Sequence, residues 1–514
     1  MRRVAVVLVL IVVAGVLAVA TGVAPSTMAV QAAPVASLRA DFNNDGADDL
    51  AIGVPFEFVG PIQDAGAVNV LYGSADGLTG TGSQLFTMDS PGVPGTADPQ
   101  DNFGHGLATA DFDHDGFADL AIGVPGEDIG MIASAGAVIA LYGSASGLTT
   151  TGAQLLAQAG GATEPNDAFG VRLAAGDFNH DGFADLAGGI PSEDVDGVED
   201  AGAVSVLPGS ADGLTRVGGR LFTQVAGTAE AGDEFGRALA AGDFNHDGFA
   251  DLSVGASLED VGSAEDAGAV SVLYGSSGGL SRAGGQLFTQ VGGTVETRDR
   301  FGGALAAGDF DQDGFADLAA GALSEAVGNT LNAGAVSALY GSSGGLSRAG
   351  GQLFTQVGGA VEADDAFGAA LAAADFDDDG FADLAAGAPG EDVGSGPRAG
   401  AVSALFGTSA GLTRVGGQLF SQVGSAPETN DAFAATLAAA DFDQDGFADL
   451  AAGAPFEAVG NTLDAGAVSA LYGSSGGLSR AGGQLFTQNS PGVGGGAEAL
   501  DNFGFALAAG IPGP

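Results

Sequence analysis

An all-β fold, a seven-bladed β-propeller of four-stranded antiparallel blades, is predicted by three observations. The motif Asp-Phe-x-x-Asp-Gly starts at Asp41, Asp111, Asp177, Asp243, Asp309, Asp375 and Asp441, with a first interval of 70 residues and later intervals of 66. A second motif, Ala-Gly-Ala-Val, starts at Ala65, Ala135, Ala201, Ala267, Ala333, Ala399 and Ala465. Self-similarity at a fixed period sets the architecture before any local reading does. The third observation lies at the chain ends and bears on how the ring closes.

Each repeat supplies four short strand candidates, in the fifth unit Phe301 to Ala307, Phe315 to Ala322, Ala335 to Tyr340 and Gln352 to Gln356. Each is bounded by Gly, Asp, Ser or Pro, the residues that punctuate strands. No unit contains an amphipathic helix. Four strands per unit, repeated around a ring, is the propeller pattern. A parallel β-helix is the runner-up, but its turns are much shorter than 66 residues.

The first unit has its acidic loop at Asp41 but no Phe-Gly strand before it. An additional copy of that strand, Asp501-Asn502-Phe503-Gly504, follows the last unit and resembles Asp101-Asn102-Phe103-Gly104. Residues 501–510 are therefore expected to complete the N-terminal blade, giving one propeller domain over 37–510. Closure also hides strand edges from other chains.

Composition agrees and excludes several functions. Of 514 residues, 92 are Gly, which suits many tight turns. There is no Cys, hence no disulfide and no thiolate metal site. All 14 basic residues are Arg, and the formal charge is −50. That charge argues against a nucleic-acid partner and suits cation binding. Arg2 and Arg3 precede an apolar run from Val4 to Ala20, and Val30-Gln31-Ala32 fits a small-x-small cleavage site. Residues 1–32 thus read as a signal peptide. The run is also close to the ~18 residues of a membrane span, so retention as an anchor is the alternative. The expected location is secreted or cell surface, and the chain reaches the membrane only if this segment is kept.

The acidic loops carry the chemistry. Calcium takes six to eight oxygen ligands, and alternate residues of a tight turn can point inward together. Loop position 1 is held by the seven Asp named first above. Position 3 is Asn43, Asp113, Asn179, Asn245, Asp311, Asp377 and Asp443. Position 5 is Asp45, Asp115, Asp181, Asp247, Asp313, Asp379 and Asp445. A backbone carbonyl is expected from position 7: Ala47, Phe117, Phe183, Phe249, Phe315, Phe381 and Phe447. Asp49, Asp119, Asp185, Asp251, Asp317, Asp383 and Asp449 close the set at position 9. Up to seven Ca2+ ions, one per blade, are the expected cofactors. A single such loop is as well explained by an Asx-rich turn; seven in register favour the metal. The bidentate Glu of an EF-hand is missing at position 12, where Ile52 and Ala320 stand. Magnesium fits less well, since it demands near-ideal octahedral geometry.

Phe-Gly, the acidic loop and then Gly-x-Pro, as at Gly387-Ala388-Pro389, resemble the FG-GAP repeat of integrin α-subunit propellers. Departures are Phe433-Ala434 in place of Phe-Gly, and Gly255-Ala256-Ser257 and Gly321-Ala322-Leu323 without Pro. The resemblance implies a calcium-stabilised propeller used for adhesion or ligand binding. Segments that follow the propeller in integrin α-subunits have no counterpart before Pro514, so an integrin heterodimer is not expected and a monomer is.

No catalytic residue is assigned. His114, His180 and His246 occupy position 4 of their loops and read as solvent-facing turn residues, and His105 as a packed or surface residue of a Phe-Gly strand. Acids outside the loops recur at Glu193-Asp194, Glu259-Asp260 and Glu391-Asp392, with no pair that breaks the repeat symmetry. Arg216, Arg282, Arg348, Arg414 and Arg480 are expected in the loops joining third and fourth strands, on the face of the acidic loops. The opposite face carries the more variable loops, where binding usually resides. The favoured function is calcium-dependent adhesion or binding of an extracellular protein or glycan. A polysaccharide lyase or hydrolase and a structural surface protein are the alternatives.

Overall fold

The computed structural model describes residues 39–510 apart from 226 and 228. The expected signal segment lies outside these residues. Among the described residues there are 28 strands in seven four-stranded sheets and no helix. The fifth blade runs Phe301–Gly308, Asp317–Ala322, Ala335–Tyr340 and Ser347–Phe354, from the innermost strand to the outermost. Each neighbour is antiparallel.

The third strand coincides with its sequence prediction, while the fourth begins earlier and ends sooner. The register explains the difference. Ala338 pairs with Gln352, but Tyr340 pairs with Ser347, so Arg348-Ala349-Gly350-Gly351 forms an outward bulge in the outer strand. The arginines accordingly are not in the hairpin loops. Arg282, Arg348, Arg414 and Arg480 lie in outer strands, and Arg216 lies just before the short outer strand Arg220–Phe222. They neither neutralise loop carboxylates nor stand free. Arg216 Nη2 and Arg480 Nη2 donate to the carbonyls of Gln158 and Gln422 at 2.7 and 2.6 Å, joining one blade to the one before.

Middle strands such as Asp317–Ala322 (DLAAGA) are buried along their whole length. A blade inside a propeller packs on both faces, so its central strands lack polar–apolar alternation and use Ala and Gly for close approach. Seven apolar clusters lie between adjacent blades. Each is anchored by a Phe from a Phe-Gly segment and a Phe from position 2 of an acidic loop, for example Phe367 and Phe310, both fully buried. All five Tyr accept a backbone N–H from the next blade's hairpin, as Leu412 N does to Tyr340 Oη at 3.0 Å.

Closure is by the pairing read from the chain ends. Ala506–Ala508 pairs antiparallel with Leu50–Val54, with Ile52 opposite Leu507. The last cluster joins Leu50, Ile52 and Leu71 to Phe442, Val468 and Phe503.

The Phe-Gly glycines meet the glycines at the Gly-x-Pro position across the blade boundary, also where Pro is absent, as at Gly321. A Cβ on Gly321 would lie 2.1 Å from the carbonyl oxygen of Gly368 in the following blade. Gly321→Ala is therefore expected to cost about 1–3 kcal/mol, the range for forced overpacking. A denaturation midpoint equal to wild type would refute this contact. Ala434, which replaces a Phe-Gly glycine, keeps a left-handed conformation, with φ of +64° where the equivalent glycines lie at +84° to +99°. The backbone there is held by packing, since such a φ costs a non-Gly residue roughly 1–2 kcal/mol.

Candidate cation-binding loops

Each acidic loop is a turn tied to its own carboxylates. In the fifth, Asp309 Oδ1 accepts from Asp313 N at 3.1 Å and its Oδ2 from Gly314 N at 2.9 Å. Asp311 Oδ1 accepts from Asp313 N, and Asp313 Oδ1 from Phe315 N. The glycine at position 6, Gly314, has φ +89°, which lets the chain reverse.

Position 9 is tied into the blade as well as into the loop. Asp317 Oδ2 accepts from Phe310 N at 2.9 Å, and Oδ1 from Gly341 N at 2.7 Å, at the end of the third strand. Asp49, Asp119, Asp185, Asp251, Asp383 and Asp449 repeat both bonds. These residues therefore pin the loop to the sheet, a role that spacing alone did not reveal.

The loops also form a chain of their own. Ala382 N donates to Asp309 O at 2.9 Å, and the same bond from position 8 to position 1 of the preceding loop recurs around the ring. Asp48 N closes it onto Asp441 O. Arg39 pairs with Asp48 at 3.2 Å at this junction. His114, His180 and His246 are exposed as expected, but they also stack edge-on against Phe183, Phe249 and Phe315 of the next loop, at 5.6–5.8 Å.

The structure sorts the seven loops by how their acids converge. In those at Asp309, Asp375 and Asp441, one oxygen each from positions 1, 3 and 9 lie within 4.8 Å of one another. At Asp111 the same holds for positions 1, 3 and 5, Asp111, Asp113 and Asp115. In the loops at Asp41, Asp177 and Asp243, Asn at position 3 leaves fewer acids. Asn179 turns its amide toward Asp185 Oδ2 at 3.4 Å. The position-5 acids Asp313, Asp379 and Asp445 stand outside the converging trios and are exposed. The converging oxygens suit a hard cation: Asp377 Oδ1 is buried and without a hydrogen-bond partner. Among the described residues no ion pair involves a trio acid.

Burial sets the titration. Desolvation pushes Asp317, Asp383 and Asp449 up to about 8, against the opposing effect of the two backbone N–H bonds that each accepts. A folded value above the unfolded one means the folded state holds the proton more firmly. That contribution is complete below about pH 4 and is lost as pH rises through about 8. In chelator, Tm is therefore expected to fall between pH 5 and pH 8; a flat or rising profile would contradict it.

His105 packs against Phe505 at 4.8 Å, with Nδ1 3.3 Å from Val171 O. Burial first, then Arg172, lowers its pKa to about 3, so it is neutral at ordinary pH.

Fold and loops together define a closed seven-bladed propeller with a ring of acidic turns on one face. The family model of the FG-GAP repeat matches at 34–71, 103–141, 169–207, 235–273, 301–339, 367–405 and 433–471. The chain belongs to the FG-GAP repeat family. It is 35% identical over 190 residues to phosphatidylinositol-glycan-specific phospholipase D of Bos taurus, covering 36% of this chain and 22% of that protein. It is 30% identical over 263 residues to integrin alpha-V of Gallus gallus, covering 50% and 23%. Integrin alpha-PS2 of Drosophila melanogaster is 32% identical over 232 residues, covering 43% and 15%. The chain thus spans less than a quarter of each relative's length. Among the described residues no helix is long and apolar enough to cross a membrane.

Proposed function

We propose that this propeller binds calcium through its acidic loops and acts outside the cytoplasm as an adhesion or ligand-binding scaffold. The convergence of three carboxylate oxygens within 4.8 Å in four loops carries the calcium reading. Three like charges held that close need a cation or protons, and all-oxygen donors on a flexible turn suit calcium. In the fifth loop Asp309, Asp311 and Asp317 would hold the ion, with Asp313 and the Phe315 carbonyl completing the set. The ion supplies charge neutralisation, and the chain supplies a rigid ring that presents loops. Similarity to integrin alpha-V supports the binding reading, as does the sevenfold repetition of the acids.

Loops with Asp at position 3 are expected to bind calcium more tightly than those with Asn43, Asn179 or Asn245, because affinity rises with ligand charge. Calorimetric titration resolving two affinity classes would support this, and seven indistinguishable sites would contradict it. The function is tested by screening the purified chain against glycans and matrix proteins, with and without EDTA. Saturable, EDTA-sensitive binding without turnover is the expected result. Turnover of a polysaccharide would replace the proposal with the enzymatic alternative.

A further inference from the structure

A second group of acids lies on the face opposite the calcium loops. Glu391 follows the second strand of the sixth blade, Asp383–Ala388. Glu362 and Asp365 precede its innermost strand, Leu371–Ala374, and Gln356 follows the outer strand of the blade before, Ser347–Phe354. One oxygen each from Glu362, Asp365 and Glu391 lie within 4.8 Å of one another. Asp365 is 1% exposed, Gln356 2% and Glu391 6%.

Buried polar atoms here lack partners. Gln356 has neither Oε1 nor Nε2 hydrogen-bonded, and Asp365 Oδ1 and Glu391 Oε2 are likewise unpaired. The amide and the carboxylate aim at one spot: a Cβ built on Gly359 would meet Gln356 Nε2 and Glu391 Oε1, each at 2.7 Å. Asp365 Oδ2 is used, accepting Glu362 N at 2.6 Å. The Arg414 guanidinium bonds the Gln356 carbonyl, and among the described residues none of the three acids is in an ion pair. Buried polar atoms left unpaired are costly, so several together call for a partner.

Gln224 with Glu259, Gln290 with Glu325 and Gln422 with Glu457 repeat the unpaired amide and carboxylate, but only here is the neighbouring Asp oxygen, Asp365 Oδ1, unpaired as well. Two blades pair the amide instead. Gln158 Nε2 donates to Glu193 at 3.1 Å and Gln488 Nε2 to Glu57 at 2.7 Å. Met88 stands in the place of the Gln beside Glu127. Outside the acidic loops, three acids converge only at Glu391 among the described residues.

We propose that Glu362, Asp365, Glu391 and the Gln356 amide oxygen form an inter-blade divalent-cation site, selective for a hard ion such as calcium. Three carboxylates and one amide oxygen are the donor class calcium takes. The Gln amide turns its oxygen to the ion, an orientation that only its partners decide. The ion would cross-link the fifth and sixth blades, since Gln356 and Glu391 come from different blades. This inference does not rest on the calcium loops.

Native mass spectrometry of the full chain, titrated with Ca2+ alone, tests it. Glu391→Gln should bind one ion fewer than wild type, and Asp375→Asn with Asp383→Asn should lose a different one, so that the combined variant loses two. Glu362→Gln alters an exposed side chain and guards against misfolding; it should weaken one class of sites by at least about tenfold, as loss of one charged ligand implies. An unchanged ion count in Glu391→Gln together with unchanged affinity in Glu362→Gln would overturn the proposal. So would a Glu391→Gln chain that is more stable than wild type with and without Ca2+, which would mean the acids only share protons. If the loop variant changes nothing while Glu391→Gln loses an ion, the loop reading fails and this one stands.

Discussion

Deleting the chain from Asp501 onward is expected to cost several kcal/mol and to damage the N-terminal blade, some 450 residues away in sequence. The segment is the innermost strand of that blade, paired through Ile52 with Leu507. Phe503 is fully buried, Leu507 is 4% exposed, and Phe505 packs edge-on to Phe56 at 5.2 Å. Burying one large apolar side chain is worth about 1.5–3 kcal/mol, so three approach 5–9 kcal/mol. That is an upper figure, because the unfolded chain keeps part of such burial. It rivals the whole net stability of a typical domain, about 5–15 kcal/mol. The loss extends to the neighbouring blades: Phe505 packs on His105 of the following blade at 4.8 Å, and two hydrogen bonds reach the last blade. Gly504 O accepts the Thr436 hydroxyl at 2.7 Å, and Asn502 Nδ2 donates to Pro455 O at 2.8 Å. An unpaired edge should also promote self-association. The measurement is a melting curve beside light scattering of the truncated chain. A truncated protein that stays monomeric and melts like the full chain would show that the strand pairing contributes nothing.

Removing calcium should be the second large effect. Extracellular calcium modules bind with dissociation constants of roughly 0.1–1 mM. At about 1 mM free calcium each site would then add about 0.4–1.4 kcal/mol by mass action. Seven independent loops sum to about 3–10 kcal/mol on the same basis. An unfolding entropy near 2.1 cal/mol/K per residue makes 1 kcal/mol worth about 1 °C in a propeller of this length, so EDTA should lower Tm by about 3–10 °C. The four loops with converging acids should dominate, because crowded carboxylates without a cation repel one another. A Tm indifferent to chelator would remove calcium from the account. Neutralising Asp309 and Asp311 together, as Asn, should reproduce part of the fall without chelator.

The repeated acidic turns are legible in the sequence. The ninth-position acids were found by spacing, because an invariant register of Asp against Gly314-type turns marks a repeated loop. The second duty of those acids was not legible. Asp317 reaches Gly341 N, 24 residues on, and only the blade's strand pairing puts that N–H beside it. Arg282, Arg348, Arg414 and Arg480 were misplaced because a bulge is a register event: no residue type in Arg-Ala-Gly-Gly announces that the outer strand starts at Ser347. The histidines at position 4 were rightly read as exposed, but their Phe partners belong to the next repeat.

Local sequence, repeated seven times, determined the blade count, the four strands of each blade, the acidic turns and the means of closing the ring. These follow from short-range chemistry: turn residues, strand-forming runs and oxygen side chains at alternate positions. Tertiary structure alone decided which oxygens meet. It brings positions 1, 3 and 9 together in three loops and positions 1, 3 and 5 in another. It also gathers Gln356, Asp365 and Glu391, which come from two connections and two blades, around one buried point. The physical reason is that convergence within a few ångströms depends on twist and packing between blades, which adjust to side-chain volume across every interface and are not encoded in the spacing of any one repeat.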